Sequence, residues 1–253
     1  GHDECKLGPY AAVPRPEDRD EHCTITAGLN STTAATVRHV TNLSVACEQA
    51  VGTTEVSAIV AVLDTDCMGE SMDRTTIGPD PADARALTHI AEQRANGTCA
   101  ASASGTPFLL VVLGACATDL TVATEAFDAI LFAGSGGERS GEAISRIIFG
   151  MDVPSGRLPI TMYTQAITNS SLFDMGMRPR PHDNFPGRTY RFHTGPQVFP
   201  AFFGLSYTTF SYQLNAPVPA HVSLDAVRDL LGGSVSDTAR QFPSKKLMDA
   251  LSA

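Results

Sequence analysis

The sequence predicts an α/β fold with a mainly parallel sheet, helices on both faces of the sheet, and a loop-rich C-terminal segment. Three continuous apolar runs predict the strands, and they span residues 55–64, 107–114 and 126–134. Runs that are apolar at every position are typical of parallel strands buried on both faces. Amphipathic stretches alternate with these runs, so each crossover between strands is predicted to contain a helix.

Two helices follow from the spacing of apolar residues between and after these strands. Residues 82–93 place Ala86, Leu87 and Ile90 on one helical face. Residues 140–150 predict a second helix, which Gly150 ends. A further helical face is predicted over residues 31–52, at Val37, Val40, Cys47 and Val51.

The composition changes along the chain and predicts three parts. Residues 1–30 are polar and predict an irregular lead-in, and residues 31–214 form the α/β domain. After Pro159 the chain is rich in proline, glycine and aromatic residues, which indicates an extended segment or hairpin against the main sheet. Residues 215–253 predict a C-terminal extension with two short helices, each opened by a serine cap.

The net charge of −9 argues against nucleic acid and anionic lipid as partners, because an acidic surface repels both. No apolar run approaches the length of about 20 residues that a membrane-spanning helix needs, so we expect no membrane insertion. The chain begins at Gly1 without a methionine or a signal peptide, which favours a processed or partial product.

Cysteines and asparagines indicate the secretory pathway. The six cysteines include no CxxC pair and no zinc-site spacing, which predicts disulfides of unknown pairing, with six buried free thiols as the alternative. Four of the six asparagines lie in glycosylation sequons: Asn30, Asn42, Asn96 and Asn169. A secreted, disulfide-bonded glycoprotein, extracellular or at the cell surface, accounts for both observations.

The loops that follow the three predicted strands are the places to look for a site, since ligands collect at the carboxyl ends of parallel strands. Gly134 and Gly136 begin a glycine loop, but Arg139 stands where a dinucleotide fingerprint needs its third glycine, and no Walker lysine is present. The loop also lacks the spacing of a serine nucleophile elbow. The seven histidines form no ligand pair at helical spacing. We therefore expect no cofactor and no metal site.

The loop after the first strand carries four carboxylates beside an arginine. It reads "LDTDCMGESMDR" over residues 63–74 and contains Asp64, Asp66, Glu70, Asp73 and Arg74. A carboxylate beside a sheet crevice can act as a general acid when burial raises its pKa. The alternative is a solvated acidic loop, which is the usual fate of such residues.

Several segments together resemble the second, α/β-sandwich domain of family 3 glycoside hydrolases, in the plant-like β-xylosidase/α-L-arabinofuranosidase branch. The strongest are "FGMDVPSGRLPITMY" from Phe149, "FDMGMRPRPHDNFPGRTYRFHTG" from Phe173 and "FGLSYTTFSY" from Phe203. The loop at residues 63–74 resembles the acid/base loop of the branch, and "HDECK" is a weaker match. The resemblance covers roughly residues 1–214.

This resemblance implies a retaining mechanism in which two domains each supply one carboxyl group. A barrel domain holds the aspartate nucleophile, and the sandwich domain holds the acid/base glutamate on a loop over the sugar pocket. In retaining enzymes the two groups stand about 5 Å apart and act in turn. Transferred to this chain, the resemblance makes Glu70 the acid/base candidate and Asp73 and Arg74 the substrate-binding candidates.

The chain departs from the family pattern in three respects. Its 253 residues cannot hold both domains, so the barrel is missing from this chain. Met68 replaces one of the two glutamates of the acid/base loop, and methionine cannot donate a proton. The neighbouring loops, Gly114–Cys116 and Ser135–Gly137, have also diverged, whereas the phrases that shape the scaffold are kept.

Two functions follow from these departures. The first is a non-catalytic extracellular domain, or pseudoenzyme, with a structural or carbohydrate-associated role in a larger assembly and with a protein or glycan partner. The second is the acid/base half of an active β-xylosidase or arabinofuranosidase whose barrel lies elsewhere. In both, we expect no hydrolysis by this chain alone.

Overall fold

The computed structural model describes residues 24–33, 36–37, 43–47, 56–65, 76–103, 105–114 and 116–214. The chain divides into two compact units, Gly1–Thr208 and Thr209–Ala253. The predicted boundary after residue 214 lies slightly later. The two short helices predicted after residue 215 lie outside the described residues.

Helices, strands and short 3₁₀ turns follow one another along the first unit. The helices are α1 (Ile25–Thr32), α2 (Pro81–Ala95), α3 (Ala100–Ala103), α4 (Thr121–Ala126), α5 (Ser140–Ile148) and α6 (Thr189–Phe192). The strands are β1 (Ile59–Asp64), β2 (Phe108–Leu113), β3 (Ala129–Gly134), β4 (Met162–Tyr163) and β5 (Gln197–Phe199). The 3₁₀ turns span Leu43–Val45, Gln165–Asn169 and Pro181–Asp183.

The main sheet is parallel, as predicted, with the strand order β1-β2-β3. Ile59 pairs with Phe108 at one end of the β1–β2 ladder, and Asp64 pairs with Leu113 at the other. The β2–β3 register shifts once, between Val112 and Leu113. Strands β4 and β5 form a separate antiparallel pair. Residues 164–196 lie between them, so the pair is not a hairpin, whereas the loop-rich character predicted after Pro159 is present.

Each face of the main sheet has its own apolar core. On one face, the strand residues Leu63, Phe108 and Leu110 pack with α2, α4 and the first 3₁₀ turn. On the other, Val111 and Leu113 pack with α1 and α5. Alternate side chains of one strand therefore enter opposite cores, which is why the strands read as continuous apolar runs. The predicted fold class is confirmed.

The end of α5 shows how local sequence sets an element boundary. Gly150 adopts a left-handed φ of 69°, its N–H donates to the Ile147 carbonyl, and the Met151 N–H donates to the Arg146 carbonyl. These two bonds form a Schellman motif, which satisfies carbonyls that the helix end would otherwise leave unpaired. The predicted stop at Gly150 is confirmed.

Two sequence predictions are corrected in the region before β1. Residues 25–30 are not an irregular lead-in, because they belong to α1, whose N-cap Thr24 accepts a hydrogen bond from the Ala27 N–H at 3.1 Å. Residues 31–52 are not one helix, because α1 ends at Thr32 and Leu43–Val45 is a 3₁₀ turn. Cys47 is buried through a disulfide to Cys99 rather than along a helical stripe.

The described cysteines are oxidised, which contradicts the alternative of free thiols for them. Cys47 bonds to Cys99, and Cys116 is also in a disulfide. Cys5, Cys23 and Cys67 lie outside the described residues. No helix within the described ranges has the length and apolarity to cross a membrane.

Asp128 links α2 to the sheet and gives the fold an acid-sensitive contact. Its carboxylate accepts from Arg94 Nη2 at 2.6 Å and from the Phe108 N–H at 2.8 Å. The hydrogen bond from Arg94, helped by the Phe108 N–H and the guanidinium charge, lowers the pKa of Asp128 against a smaller opposing effect of burial. The Arg94 guanidinium also lies 4.8 Å from the centre of the Phe108 ring.

We expect Asp128→Asn to remove part of the loss of stability in acid. A carboxyl group whose folded-state pKa is lowered stabilises the fold above its unfolded pKa of about 3.9, and this contribution disappears as the pH falls through the folded pKa. In chemical denaturation between pH 7 and pH 2, the free energy of unfolding of the variant should therefore be lower than that of the wild type at pH 7. At the lowest pH the two free energies should be nearly equal. Glu125→Gln, which removes an exposed charge from α4, is the control. An unchanged difference across this pH range would contradict the role of Asp128.

Candidate site at the carboxyl edge of the sheet

The ends of the three parallel strands are fixed to one another by hydrogen bonds. The Thr65 N–H and the Thr65 hydroxyl both donate to the Leu113 carbonyl, at 2.9 and 2.8 Å. The Gly114 N–H donates to the Gly134 carbonyl at 3.0 Å. The predicted meeting of the three loops at one edge is therefore confirmed where the loops leave the strands.

Gly114 allows this close approach of β1 and β2. Its φ of 111° lies in a region that favours glycine, and a Cβ built there would lie 2.3 Å from the Thr65 carbonyl oxygen. The edge is thus built around a position with no side chain, and the backbone of the β2 loop packs directly against the end of β1.

The glycine loop after β3 leads into α5 through a tight turn. Gly136 lies so close to Ser140 that an added Cβ would come within 2.3 Å of the Ser140 Cβ. Glu142, in the first turn of α5, accepts from Arg139 Nε at 2.8 Å. Because the carboxylate of Glu142 already interacts with the positive end of the helix dipole, the start of α5 does not favour a phosphate.

A cleft of about 560 Å³ opens beside this loop. Its walls come from Leu131 and Ala133 of β3, from Ile144 and Ile147 of α5, and from the loop residues Gly136 to Ser140. The walls are mainly apolar, and Glu138 is the one carboxylate among the lining residues. Among the residues that the structure describes, the cleft is an apolar site with a polar rim, and its lining holds one carboxyl group rather than the pair that retaining hydrolysis uses.

The predicted acid/base loop is described only at its two stems. Glu70, Asp73 and Arg74 lie outside the described residues, as does Asn42. Thr65 forms the first stem, and Thr76 begins the second. No group of histidine, cysteine, aspartate and glutamate side chains within the described ranges is placed to hold a metal ion.

Asp119 and Gln165 hold the second stem in place. Gln165 Oε1 accepts from the Thr76 hydroxyl at 2.9 Å and from the Ile77 N–H at 3.1 Å, and the Ile77 carbonyl accepts from the Asp119 N–H at 2.9 Å. Asp119 in turn accepts from the Gln165 N–H at 2.7 Å and from the N–H of Thr121 at 2.9 Å. These contacts fix the position at which the chain returns from residues 66–75.

Sequence reasoning did not identify this cluster. Asp119 has a local signal, since an aspartate just before a helix often caps it, and here it bonds to the first residue of α4. Gln165 has none, because its partners Thr76 and Ile77 are almost ninety positions away and belong to a different element.

We expect Asp119→Ala to loosen this stem. The substitution removes the acceptor of three hydrogen bonds, from Gln165 N, Thr121 N and Thr121 Oγ1, and should lower the free energy of unfolding by about 1–2 kcal/mol. Hydrogen exchange of the Gln165 and Ile77 amides should speed up. Asp80→Ala is the matched control, since Asp80 also precedes a helix but caps it with no side-chain hydrogen bond. Equal effects from the two substitutions would refute the role assigned to Asp119.

The three described sequon asparagines are all accessible. Asn30 is exposed on α1, Asn96 is exposed at the C-cap of α2, and Asn169 is exposed at the end of a 3₁₀ turn. None of these side chains has to leave a core to carry a glycan. N-glycosylation of these three asparagines stays a prediction.

Comparison with known proteins gives consistent matches over this fold. The family model described as "Glycosyl hydrolase family 3 C-terminal domain" matches residues 3–207. Probable β-D-xylosidase 6 of Arabidopsis thaliana is 37% identical over 168 residues, which are 65% of this chain and 20% of that protein. β-D-xylosidase 3 of the same plant is 34% identical over 88% of this chain and 28% of that protein.

A solved family 3 exo-β-xylosidase, in complex with a xylobiose aziridine activity-based probe, has the same fold. It superposes with a TM-score of 0.59 at 25% sequence identity, and the matched region covers 80% of this chain and 27% of the exo-β-xylosidase chain. The chain thus spans between a fifth and somewhat over a quarter of the length of these relatives. With the parallel sheet, its two covered faces and the family match over residues 3–207, the chain belongs to glycoside hydrolase family 3, as its C-terminal domain.

Proposed function

We propose that this chain is an extracellular, non-hydrolytic domain of a larger family 3 glycosidase-like assembly. The observation that carries the proposal is the cleft at the carboxyl edge, whose described lining holds the single carboxylate Glu138. Retaining hydrolysis needs two carboxyl groups about 5 Å apart. Met68 in the acid/base loop supports the proposal, because the residue at that position cannot give up a proton.

The role we propose is structural or carbohydrate-associated, with a protein partner or a barrel domain and with a glycan as a possible ligand class. The match to relatives of which this chain covers 20% and 22% supports this role, since the same fold is one part of each of those chains. An acidic net charge of −9 supports a role without nucleic acid.

The extracellular location is part of the same proposal. The Cys47–Cys99 disulfide and the oxidised Cys116 support it, because such bonds persist in oxidising compartments. The exposure of Asn30 and Asn96 in their sequons is compatible with N-glycosylation there.

The second candidate function is the acid/base half of an active β-xylosidase or arabinofuranosidase. Glu70 would be the acid/base, Asp73 and Arg74 would bind substrate, and a barrel on a precursor or partner would supply the nucleophile. The hydrogen bonds of Asp119 and Gln165 favour this reading, because they hold the stem that directly follows residues 66–75.

An assay of the purified chain separates hydrolysis by this domain from hydrolysis by an assembly. We expect no turnover of aryl β-xyloside or aryl α-arabinofuranoside above the level of a Glu70→Gln variant. Turnover by the wild type that this variant abolishes would refute the proposal, and it would equally contradict the second function, in which the nucleophile lies on a barrel elsewhere. Glu138→Gln is the control, because Glu138 lies in the described cleft and no proton-transfer role is assigned to it.

A further inference from the structure

Strand β3 is an outer strand of the parallel sheet, and it is much more exposed than the central strand. Five of the six residues of β2 are buried, whereas none of the six residues of β3 is. Within the described ranges, β3 pairs with β2 on its inner side and with no strand on its outer side. The outer side of such a strand presents N–H and C=O groups to which a further strand can bond.

The sequence of β3 lacks the features that normally prevent pairing of an outer strand. It reads "AILFAG" over Ala129–Gly134, with no lysine, no proline and no charged side chain. The shift in its register to β2 lies near its C-terminal end, between Val112 and Leu113 of β2, so the rest of the strand is regular. The other outer strand, β1, differs because it ends in the charged Asp64. Strand β3 is therefore the outer strand that is suited to pairing with another chain.

The apolar surface at β3 continues onto helix α5 through the cleft of about 560 Å³. Leu131 and Ala133 line the cleft from β3, and Ile144 and Ile147 line it from α5. Leu131, Ala133 and Ile147 are only half-buried. A second copy that extended the sheet at β3 would place its own Leu131 and α5 on the same face, and would bury more of this apolar surface.

The sequence of β3 is complementary to itself in antiparallel pairing. A two-fold axis through Leu131, perpendicular to the sheet, places the Leu131 side chains of the two copies opposite each other. The same axis places Ile130 opposite Phe132 of the partner subunit, and it does so twice. A β-branched residue opposite an aromatic one is a favourable cross-strand pair, and no like charges face each other along the strand.

The exposed charges at the two ends of β3 are also complementary. At its start, Asp128 pairs with Arg94, and the carboxylate is the more exposed of the two, at 48% against 20%. After its end, Arg139 pairs with Glu142, and the guanidinium is the more exposed, at 64% against 26%. Antiparallel pairing brings the start of one β3 to the end of the other, so the exposed carboxylate of each copy lies towards the exposed guanidinium of its partner. This arrangement favours a second copy of the chain over an unrelated strand.

We propose that the chain forms a two-fold symmetric homodimer through the outer side of β3. The β3 strands of the two copies pair in antiparallel fashion and join their three-stranded sheets into one continuous sheet. The occupant of the outer side of β3 is thus a second copy of this chain. The homodimer goes beyond the proposed function, because it does not depend on whether the chain hydrolyses glycosides.

Sedimentation velocity of the purified full chain over a range of concentrations measures this association. We expect a monomer–dimer equilibrium, and we expect hydrogen exchange at the backbone amides of β3 to slow as the dimer forms. Leu131→Lys should raise the Kd of the dimer about a hundredfold, because it places two like charges opposite each other at the two-fold axis. His89→Lys, which adds the same charge at an exposed position on α2, is the matched control and should leave the Kd unchanged.

Arg139→Glu is a second test that leaves the strand itself intact. It should raise the Kd of the dimer about tenfold, because reversal of an exposed charge turns attraction to the partner's Asp128 into repulsion. Arg85→Glu, which reverses an exposed charge on α2, is its control. Thermal melting shows whether each variant is folded, and Arg139→Glu still decides the matter if Leu131→Lys unfolds the chain.

Three outcomes would overturn the inference. The first is a chain that stays monomeric up to about 100 µM, which corresponds to a binding free energy weaker than about −5.5 kcal/mol. The second is a dimer whose Kd changes no more in the folded β3 variants than in their controls. The third is a dimer in which hydrogen exchange at the β3 amides does not depend on concentration, because the two copies would then meet through another surface.

Discussion

Replacement of Cys47 and Cys99 by alanine is expected to lower the free energy of unfolding by about 4 kcal/mol. The disulfide joins residues that are 52 positions apart, and closing a loop of that length removes about 4 kcal/mol of chain entropy from the unfolded state. It also connects the turn before β1 to the turn after α2, and both sulfur-bearing residues are buried in the core. The measurement is urea denaturation of the wild type and the double variant.

The control for this prediction is the wild type under strong reducing conditions, which also breaks the Cys116 disulfide and should leave the chain no more stable than the variant. A loss below about 1 kcal/mol in the double variant would contradict the account, since it would mean that the unfolded chain gains little freedom from the missing bond.

Gly28→Ala is expected to lower the free energy of unfolding by about 3 kcal/mol, at the upper end of the usual range for overpacked positions. Helices α1 and α5 cross at Gly28, where an added Cβ would lie 2.0 Å from the Gly141 carbonyl oxygen. The obstacle is backbone rather than a movable side chain, so the two helices would have to separate. Their separation would also loosen the contacts of Ile25, Leu29 and Ile144 with the sheet.

Ser31→Ala, an exposed substitution on the same helix, is the control and should change stability by less than about 0.5 kcal/mol. A neutral or stabilising Gly28→Ala substitution would contradict the close crossing of α1 and α5. On an exposed helix face, alanine is favoured over glycine by about 1 kcal/mol. The sign of the change in the free energy of unfolding therefore distinguishes a close helix crossing at Gly28 from an open helix face.

The main sheet could be predicted because its signal is local. Each strand is apolar except for Asp64 at the end of β1, and Gly150 ends α5 where the pattern requires it. The prediction from the third apolar run starts strand β3 too early. Residues 126–128 belong to the end of α4 and to the bend that follows it, where the Asp128 carboxylate accepts a hydrogen bond from the Phe108 N–H.

Short helices were missed because a few residues carry too little periodicity. Helix α4 spans only Thr121–Ala126, and its buried positions are the alanines Ala123 and Ala126, which give no strong apolar stripe. Helix α1 has a capping threonine and a pair of apolar residues, Ile25 and Leu29, but these lie in a polar context that favoured an irregular segment.

The sequence predicted the location of the candidate site but not the residues that hold it together. Parallel strands bring their carboxyl ends together, which put the loops after Asp64, Gly114 and Gly134 at one edge. The residues that hold the stem of the first loop could not be found this way, because Asp119 and Gln165 are 46 positions apart and meet only in the folded chain.

The most direct test of the central claim is covalent labelling of the purified chain. An aziridine on a sugar-like ring is opened by a carboxylate nucleophile placed on the correct face, and the product is a stable ester. Incubation with a xylobiose aziridine probe, followed by intact mass measurement, should leave the mass of the wild-type chain unchanged. Addition of one probe per chain, lost on substitution of a single carboxylate, would show a complete nucleophilic site and would contradict the claim that this domain does not hydrolyse glycosides alone.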